Sequence, residues 1–277
     1  PPANLPFLFH ASYAIPPADL RKSILTLAVQ GKLVPQDPND EPAQLMVERI
    51  QTLRDRAARG HKRKSKSASF AVAVEEEFSI PLAWRWCRVD EIALVKLGGT
   101  PSRSEPKYWG GSVAWVSSGE VANCRISTTK ETITPAGLAN SNATIYPPKT
   151  VLIAMIGQGK TRGQSAILEI SASTNQNVAG LVFDSEWVDP EYVWKWALRE
   201  YQRTRSGGRG GAQPALNGEK IRELMIPLPP LPEQKRIVAK VEQLMGLVDR
   251  LEAQLVESRG KAAALLEAVV AELSGAV

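Results

Sequence analysis

A long heptad repeat of apolar residues near the C-terminus constrains this fold more than any other feature of the chain. The apolar positions follow one another at alternating steps of four and three residues, and Ser258 fills the one polar slot. Because such a seam is buried only against another helix, it predicts a helix of roughly 55 Å that packs against a partner helix. The seam comprises Ile237, Val241, Leu244, Val248, Leu251, Leu255, Ala262, Leu265 and Val269.

Composition and charge are those of a folded protein that works in water. Of the 277 residues, 43% are hydrophobic and 23% are charged, which is typical of a globular protein with one or two domains. No apolar run approaches the ~20 residues that span a bilayer, and Cys87 and Cys124 lack the spacing of a metal site. We therefore predict a cytoplasmic protein without a metal ion. The net charge of +5 permits a polyanionic partner without requiring one.

The chain divides into four segments. They are residues 1–60 (helical), 61–78 (a basic and acidic linker), 79–230 (a mixed α/β domain) and 231–277 (the heptad helix). The first segment is expected to hold a helix at 19–29, capped by Asp19 and ended at Gly31. A second helix is expected from residue 41, with an apolar face of Met46, Ile50, Leu53 and Ala57. The predicted fold class is α+β: one mixed α/β domain with a long helical coiled-coil spacer built from N- and C-terminal helices.

The middle segment is predicted to present loops on a scaffold of short strands. Apolar runs bounded by Gly, Ser, Asn and Pro predict strands at residues 113–116, 151–156, 166–168 and 180–183. One helix is predicted from Asp189-Pro190, with the aspartate as N-cap and the proline as the first helical residue. Many polar loops separate these elements, which favours a recognition scaffold over a deep catalytic cleft.

Four glycine-rich or amide-rich loops in this domain carry side chains suited to nucleic acid. Arg and Lys bind guanine edges or phosphates, Asn and Gln match adenine edges, and glycine lets a backbone approach a phosphate closely. Each loop alone has the composition of an ordinary exposed turn, but four of them in one mildly basic domain favour DNA binding. The predicted DNA contacts are Ser102, Arg103, Gln158, Lys160, Arg162, Gln164, Asn175, Gln176, Asn177, Arg205, Arg209 and Gln213.

A separate basic segment lies at residues 54–66, with seven basic side chains and one acidic side chain. Two interpretations stay open for it. One is a solvated linker, and the other is a flexible arm that contacts the phosphate backbone of DNA.

Two other functions compete with DNA reading. Residues 154–161 match a permissive phosphate-loop pattern, so Lys160 would bind a nucleotide, but a strand-like run follows where such a loop needs a helix. The other alternative is a coiled-coil adaptor whose middle domain binds protein. The sequence lacks the motifs of metalloproteases, serine hydrolases and dinucleotide enzymes, so we predict no catalytic residues.

Long motifs in the chain resemble one family, the specificity subunits of type I restriction–modification systems. Residues 20–42 (LRKSILTLAVQGKLVPQDPNDEP) and 226–238 (IPLPPLPEQKRIV) carry the resemblance at the two helical segments. The middle is similar to one target recognition domain through GGTPSR, YWGG, WVSSGEV, GQGKTRG, TNQN and GGAQPALN. The resemblance covers nearly everything after residue 18.

The resemblance implies a non-catalytic subunit that reads one half of a bipartite double-stranded DNA target. It implies docking to methyltransferase subunits, which use S-adenosylmethionine, and to restriction subunits, which use ATP and magnesium. The chain itself is expected to hold no cofactor. Its C-terminal helix would be the spacer, the dimerisation element and a docking site for methyltransferase subunits.

One departure from the family pattern concerns the number of domains. A full specificity subunit has two recognition domains and two helical regions, whereas this chain has one recognition domain. It is therefore either a half-length subunit or a piece of a longer chain, and its last residues resemble a natural C-terminus. A half-length subunit is predicted to form a homodimer joined by the C-terminal helix and the helices of residues 19–57. A symmetric homodimer would read two identical half-sites in inverted orientation.

Overall fold

The helices and strands of the computed structural model agree with the predicted fold class. The structure describes residues 15–60, 78–157, 160–206 and 216–274. Its helices are α1 (Pro17–Val29), α2 (Ala43–Gly60), α3 (Val89–Ile92), α4 (Pro135–Ala139), α5 (Pro190–Ser206), α6 (Gly218–Glu223) and α7 (Leu231–Ser274). Its strands are β1 (Arg85–Arg88), β2 (Leu94–Leu97), β3 (Trp109–Val116), β4 (Cys124–Ile126), β5 (Glu131–Ile133), β6 (Val151–Ala154), β7 (Ser165–Leu168), β8 (Ser173–Thr174), β9 (Val178–Val182) and β10 (Met225–Leu228).

The strands form three sheets. The central sheet has the order β2–β9–β6–β7–β4, in which β6 pairs antiparallel with both neighbours and β4 runs parallel to β7. A second sheet has the order β5–β3–β8, and β1 pairs with β10 in a third. The four strands predicted from apolar runs correspond to β3, β6, β7 and β9, although β6 ends two residues early, at Ala154.

The three inner strands of the central sheet, β9, β6 and β7, are buried on both faces. Successive residues of β6 alternate between two cores, because side chains along a strand point to opposite sides. Val151 and Ile153 belong to the core that contains the helices, whereas Leu152 and Ala154 pack with Val116 on the other side. A strand that is buried on both faces reads as a continuous apolar run, which is why this one was visible in the sequence.

The N-terminal helices depart from the prediction in two details. Helix α1 begins at Pro17, and Asp19 lies in its first turn without forming a side-chain cap, so the predicted Asp19 cap is wrong. Proline suits the first helical position because its fixed backbone angle is already helical. In α2, the predicted Met46 and Ile50 are buried together with Ala43 and Val47, whereas the predicted Leu53 is 46% exposed.

Two buried polar side chains, Glu233 and Gln234, form a hydrogen-bonded corner at the start of the long helix α7. The Glu233 carboxylate accepts hydrogen bonds from Trp84 Nε1 at 2.9 Å and from Gln36 Nε2 at 2.7 Å. Next to it, Gln234 Oε1 accepts from the Asp189 backbone N–H at 2.7 Å, and its Nε2 donates to the Pro229 carbonyl. Both side chains are buried, and burial raises the pKa of Glu233. The corner therefore joins α7 to the N-terminal segment and to the start of α5.

Helix α7 has a packed half and an exposed half. It contains 44 residues, a length of about 66 Å at 1.5 Å per residue. Its first turns pack on α1 and α5 through Ile237, Val241 and Val248, and Arg21 of α1 forms salt bridges with Asp249 at 2.6 Å and with Glu252 at 2.7 Å. The seam then continues into solvent through exposed residues: Leu251, Leu255, Leu265 and Val269.

The predicted partner helix for this seam is thus α1 of the same chain, for the first half of α7 only. Leu244 of the predicted seam is half-buried at the same contact. In the part of the chain that the structure describes, no helix combines the length and apolar character needed to cross a bilayer.

Replacing Glu233 by alanine removes the shared acceptor of the Trp84 and Gln36 N–H groups. A buried donor left without a partner costs about 1–3 kcal/mol, so we expect the free energy of unfolding to fall by about that amount in urea titrations followed by circular dichroism. The control is Lys235→Ala, an exposed neighbour on the same turn, which should change stability by less than about 0.5 kcal/mol. Equal losses in the two variants would contradict this role for the corner.

Candidate nucleic-acid interface

Three of the predicted loops lie side by side at one end of the sheets. They are the 98–104 loop, the 155–164 loop and the 174–177 loop. The Gly99 N–H donates to the Thr174 carbonyl at 2.8 Å, and the Thr100 hydroxyl donates to the Gln176 side chain. On the other side, the Met155 N–H donates to the Asn177 carbonyl at 2.8 Å. The 174–177 loop therefore bridges the other two, and segments far apart in sequence form one surface.

A close backbone contact fixes the first of these neighbours. A Cβ atom placed on Gly98 would lie 2.1 Å from Thr174 Oγ1 and 2.4 Å from the Asn175 carbonyl oxygen, so glycine is required for this approach. Asn175 is buried, and its Oδ1 accepts from the Asn177 N–H at 3.0 Å. Gln176 is exposed and Asn177 is half-buried. Asn175 thus shapes the loop, while Gln176 projects from it.

The 155–164 loop folds back against α5. The Tyr201 hydroxyl donates to the Lys160 carbonyl at 2.8 Å, and the Gly163 N–H donates to the Ala154 carbonyl. Gly163 has a φ of +81°, a backbone conformation that favours glycine. The Lys160 side chain is exposed, whereas Arg162 and Gln164 are half-buried. The loop presents a cation on a braced backbone.

The same loop rules out the phosphate-loop interpretation of Lys160. It runs from β6 directly into β7, so a strand follows it where a nucleotide-binding loop requires a helix N-terminus. The described residues also contain no group of three or more His, Cys, Asp or Glu side chains placed to hold a metal ion.

The remaining predicted contacts are only partly described by the structure. Arg205 lies in the last turn of α5, the helix whose Tyr201 touches the 155–164 loop. Gln158, Arg209 and Gln213 lie outside the described residues, as do residues 61–66 of the basic segment.

A further loop at this end was not predicted to contact DNA, although its first residues belong to the motif WVSSGEV. Residues 117–123 connect β3 to β4, and Asn123 Oδ1 accepts from the Ser165 N–H at 3.0 Å, at the start of β7. The Glu120 carboxylate accepts from the Ser117 and Lys130 N–H groups, each at 2.9 Å. The Ser117-x-x-Glu120 capping pattern was the available signal, because it predicts a helical turn with two mutually bonded residues.

Arg103 is held by two neighbours despite its exposure. Its guanidinium lies 3.6 Å from the ring centroid of Trp109 and forms a double hydrogen bond with Glu131. This bonding raises the pKa of Arg103 and lowers the pKa of Glu131, so both groups stay charged. The neighbouring Ser102 hydroxyl lies 2.7 Å from that of Ser104.

A charged cluster links the central sheet to the long helix. Arg125 of β4 forms a double hydrogen bond with Glu191 of α5, at 2.8 and 3.0 Å, and lies 3.4 Å from Glu242 of α7. Lys149 bonds the same Glu191 at 2.9 Å. The sheet that carries the loops is thereby tied to α7 by ion pairs as well as by the core.

The structure is thus a mixed α/β scaffold that gathers polar loops at one end and carries a long, half-exposed helix. The chain belongs to the family described as type I restriction modification DNA specificity domain, whose sequence profile matches residues 81–257. The resemblance read from the sequence is confirmed by this match.

Named relatives agree with the family. The chain is 32% identical to the type I restriction enzyme EcoAI specificity subunit of Escherichia coli over 92% of its own length and 44% of the relative. It is 30% identical to the EcoEI specificity subunit of the same organism, over 85% of this chain and 41% of the relative. The chain thus spans less than half the length of these curated relatives.

Solved structures share the fold. The HsdS subunit from Thermoanaerobacter tengcongensis aligns with a TM-score of 0.52 and 16% identity, over 86% of this chain and 52% of that one. A chain from a study of complex assembly and conformational transition of the type I R-M system gives a TM-score of 0.53 and 19% identity, over 89% and 57% of the two chains.

Substituting Gly98 by alanine is expected to push the 174–177 loop away from the 98–104 loop. The added methyl group would overlap backbone atoms on the opposite loop, and overpacking of this kind costs about 1–3 kcal/mol. We expect a lower melting temperature in calorimetry. The control is Gly119→Ala, where the nearest atom would lie 3.9 Å from the new methyl group and the melting temperature should stay unchanged. If Gly98→Ala melts like the wild type, the close loop contact is not present in solution.

Proposed function

We propose that this chain reads a short sequence in double-stranded DNA as the non-catalytic specificity component of a type I restriction–modification complex. The observation that supports the proposal is the 174–177 loop, whose hydrogen bonds join it to the 98–104 loop and to the 155–164 loop. The family match and the names of the relatives support the same function.

Different side chains of the loops would contact phosphates and base edges. Lys160 is exposed and would neutralise a phosphate, which adds affinity without sequence information. Arg162 and Gln164 from one loop, and Gln176 and Asn177 from the next, would contact base edges, with Asn175 supporting them. Arg205, Arg209, Gln213 and Gln158 would extend this surface.

Arg162→Ala is expected to remove sequence preference, because an arginine that pairs with a base edge contributes about 1–3 kcal/mol of discrimination. Neutralising the basic residues at 62–66 should instead weaken binding to all duplexes alike and flatten the salt dependence of affinity. Fluorescence anisotropy on a preferred and a scrambled duplex, at several salt concentrations, measures both. Equal effects of the two changes would refute this division, and a wild-type protein without salt-dependent DNA affinity would favour the coiled-coil adaptor.

The partners follow from the same proposal. The chain would dock methyltransferase subunits through the α7 region and would act with restriction subunits in the cytoplasm. S-adenosylmethionine, ATP and magnesium would be used by those subunits rather than by this chain.

The exposed half of α7 supports a homodimer. Leu251 and Val269 are equally distant in sequence from Gly260, and so are Leu255 and Leu265. An antiparallel second copy with its two-fold axis at Gly260 would oppose these residues pairwise, so that these leucine and valine layers meet apolar layers, while Ser258 meets Ala262. Since α1 packs on α7 of its own chain, we assign the contact between copies to the exposed half of α7.

A two-fold axis at Gly260 also predicts that salt affects dimer formation and DNA binding in opposite directions. An axis at Gly260 places the Arg259 side chains of the two copies near each other, and salt screens their repulsion. Salt should therefore tighten the dimer while it weakens DNA binding.

Leu255→Glu combined with Leu265→Glu is expected to convert a dimer into a monomer, because the changes place four carboxylates in the proposed seam. Light scattering should give twice the chain mass of 30.2 kDa for the wild type and the single mass for the variant. Val256→Glu, at a residue that is 68% exposed and off the seam, is the control and should stay dimeric. If the wild type is a monomer, the second recognition domain would have to be supplied by another chain or by a further part of a longer chain.

A further inference from the structure

The Arg103 guanidinium packs on an aromatic platform, the ring of Trp109. Trp109 beneath it donates its Nε1–H to the Ser102 carbonyl at 3.1 Å and meets Trp115 edge to face, with ring centroids 5.1 Å apart. Trp115 is 2% exposed, and its Nε1–H donates to the Gly99 carbonyl. The platform is therefore anchored in the core and in the same loop that carries Arg103.

Glu131 fixes the guanidinium in its plane. Its two carboxylate oxygens accept from Nη1 and Nη2 of Arg103 at 2.5 and 2.9 Å, while 56% of the Arg103 side chain remains exposed to solvent. A guanidinium carries five N–H donors in a planar fork, so the donors that Glu131 does not use stay available in a set direction. An exposed arginine without such neighbours would sample many rotamers.

The Glu131 carboxylate also affects whether Arg103 is better suited to contact a DNA base or a phosphate. Glu131 balances the Arg103 charge and would repel an approaching phosphate, so the pair adds little to attraction for the DNA backbone. A base edge is uncharged and is read by donor geometry, which the pair leaves intact. The arrangement thus favours a base over a phosphate.

Arg103 lies at the end of the sheets where the loops meet. Its own loop bonds the 174–177 loop through Gly99 and Thr100. Resting on the DNA-reading function proposed above, we propose that Arg103 reads the O6 and N7 acceptors of one guanine and that Glu131 is the positioning residue that holds it for that contact.

Arg103→Met and Glu131→Gln test the proposal through binding to the wild type's preferred duplex and to a scrambled one. Arg103→Met is expected to weaken the preferred duplex about 10- to 100-fold. It should weaken the scrambled duplex only slightly, because the freed Glu131 carboxylate repels the phosphates of every duplex alike. Glu131→Gln should lower the preference about 10-fold and bind the scrambled duplex more tightly, because it frees the Arg103 charge.

A similar pair elsewhere in the chain supplies matched controls. Arg49 forms a double hydrogen bond with Glu41, at 2.7 and 2.6 Å, and lies 5.6 Å from the ring centroid of Trp187. Glu41→Gln and Arg49→Met change the charge as the test variants do, so they report any effect of net charge alone. Both should keep the preference of the wild type.

Replacing single guanines by 7-deazaguanine, which lacks the N7 acceptor, identifies the contact directly. At one position the replacement should weaken wild-type binding and have no effect on Arg103→Met. The proposal is overturned if Arg103→Met weakens both duplexes equally and lowers the salt slope, as a phosphate contact would, or if it lowers only the melting temperature. A wild type that prefers no duplex refutes the proposed function itself, whereas a preference that survives both variants refutes only this inference.

Discussion

The hydrogen bonds of Glu233 and Gln234 hold the parts of this molecule in one arrangement. Through them the first turn of α7 is bonded to Trp84, to Gln36 and to the backbone of Asp189. The direction of a helix of about 66 Å is thus set at its base, where a tilt of about 5° would move the far end by roughly 6 Å. Buried polar groups give a helix such a fixed direction because they bond in few geometries, and the proposed role as a spacer between two DNA half-sites would depend on it.

The loop surface depends on a second kind of constraint, the close approach of backbones. Gly98 brings the 98–104 loop against Thr174, and the bond between Met155 and Asn177 adds the 155–164 loop. Charge is distributed unevenly over the surface that results. Lys160 is exposed, whereas the Arg103 charge is balanced by Glu131. General attraction to DNA and sequence reading would therefore come from different side chains.

Local patterns made much of the fold predictable, and nonlocal contacts account for what was missed. The α7 heptads, the apolar runs of β6 and β9 and the Asp189-Pro190 helix start are all visible within short windows. The β1–β10 pair was not predicted, because it joins Arg85 to Leu228 and contains Pro227. The pairing of Arg103 with Glu131 depends on the β3–β5 register, and the heptad pattern did not reveal that α1 covers only half of the seam. The Asp19 cap failed because Pro17 starts the helix earlier.

Hydrogen exchange with and without duplex DNA tests most directly the central claim that the gathered loops form the DNA-reading surface. Mass spectrometry of peptides should show slower exchange on DNA binding in residues 98–104, 155–164 and 174–177 together, with residues 43–53 of α2 unchanged. Protection confined to the basic segment at 54–66, with the three loops exchanging as in the free protein, would contradict the account.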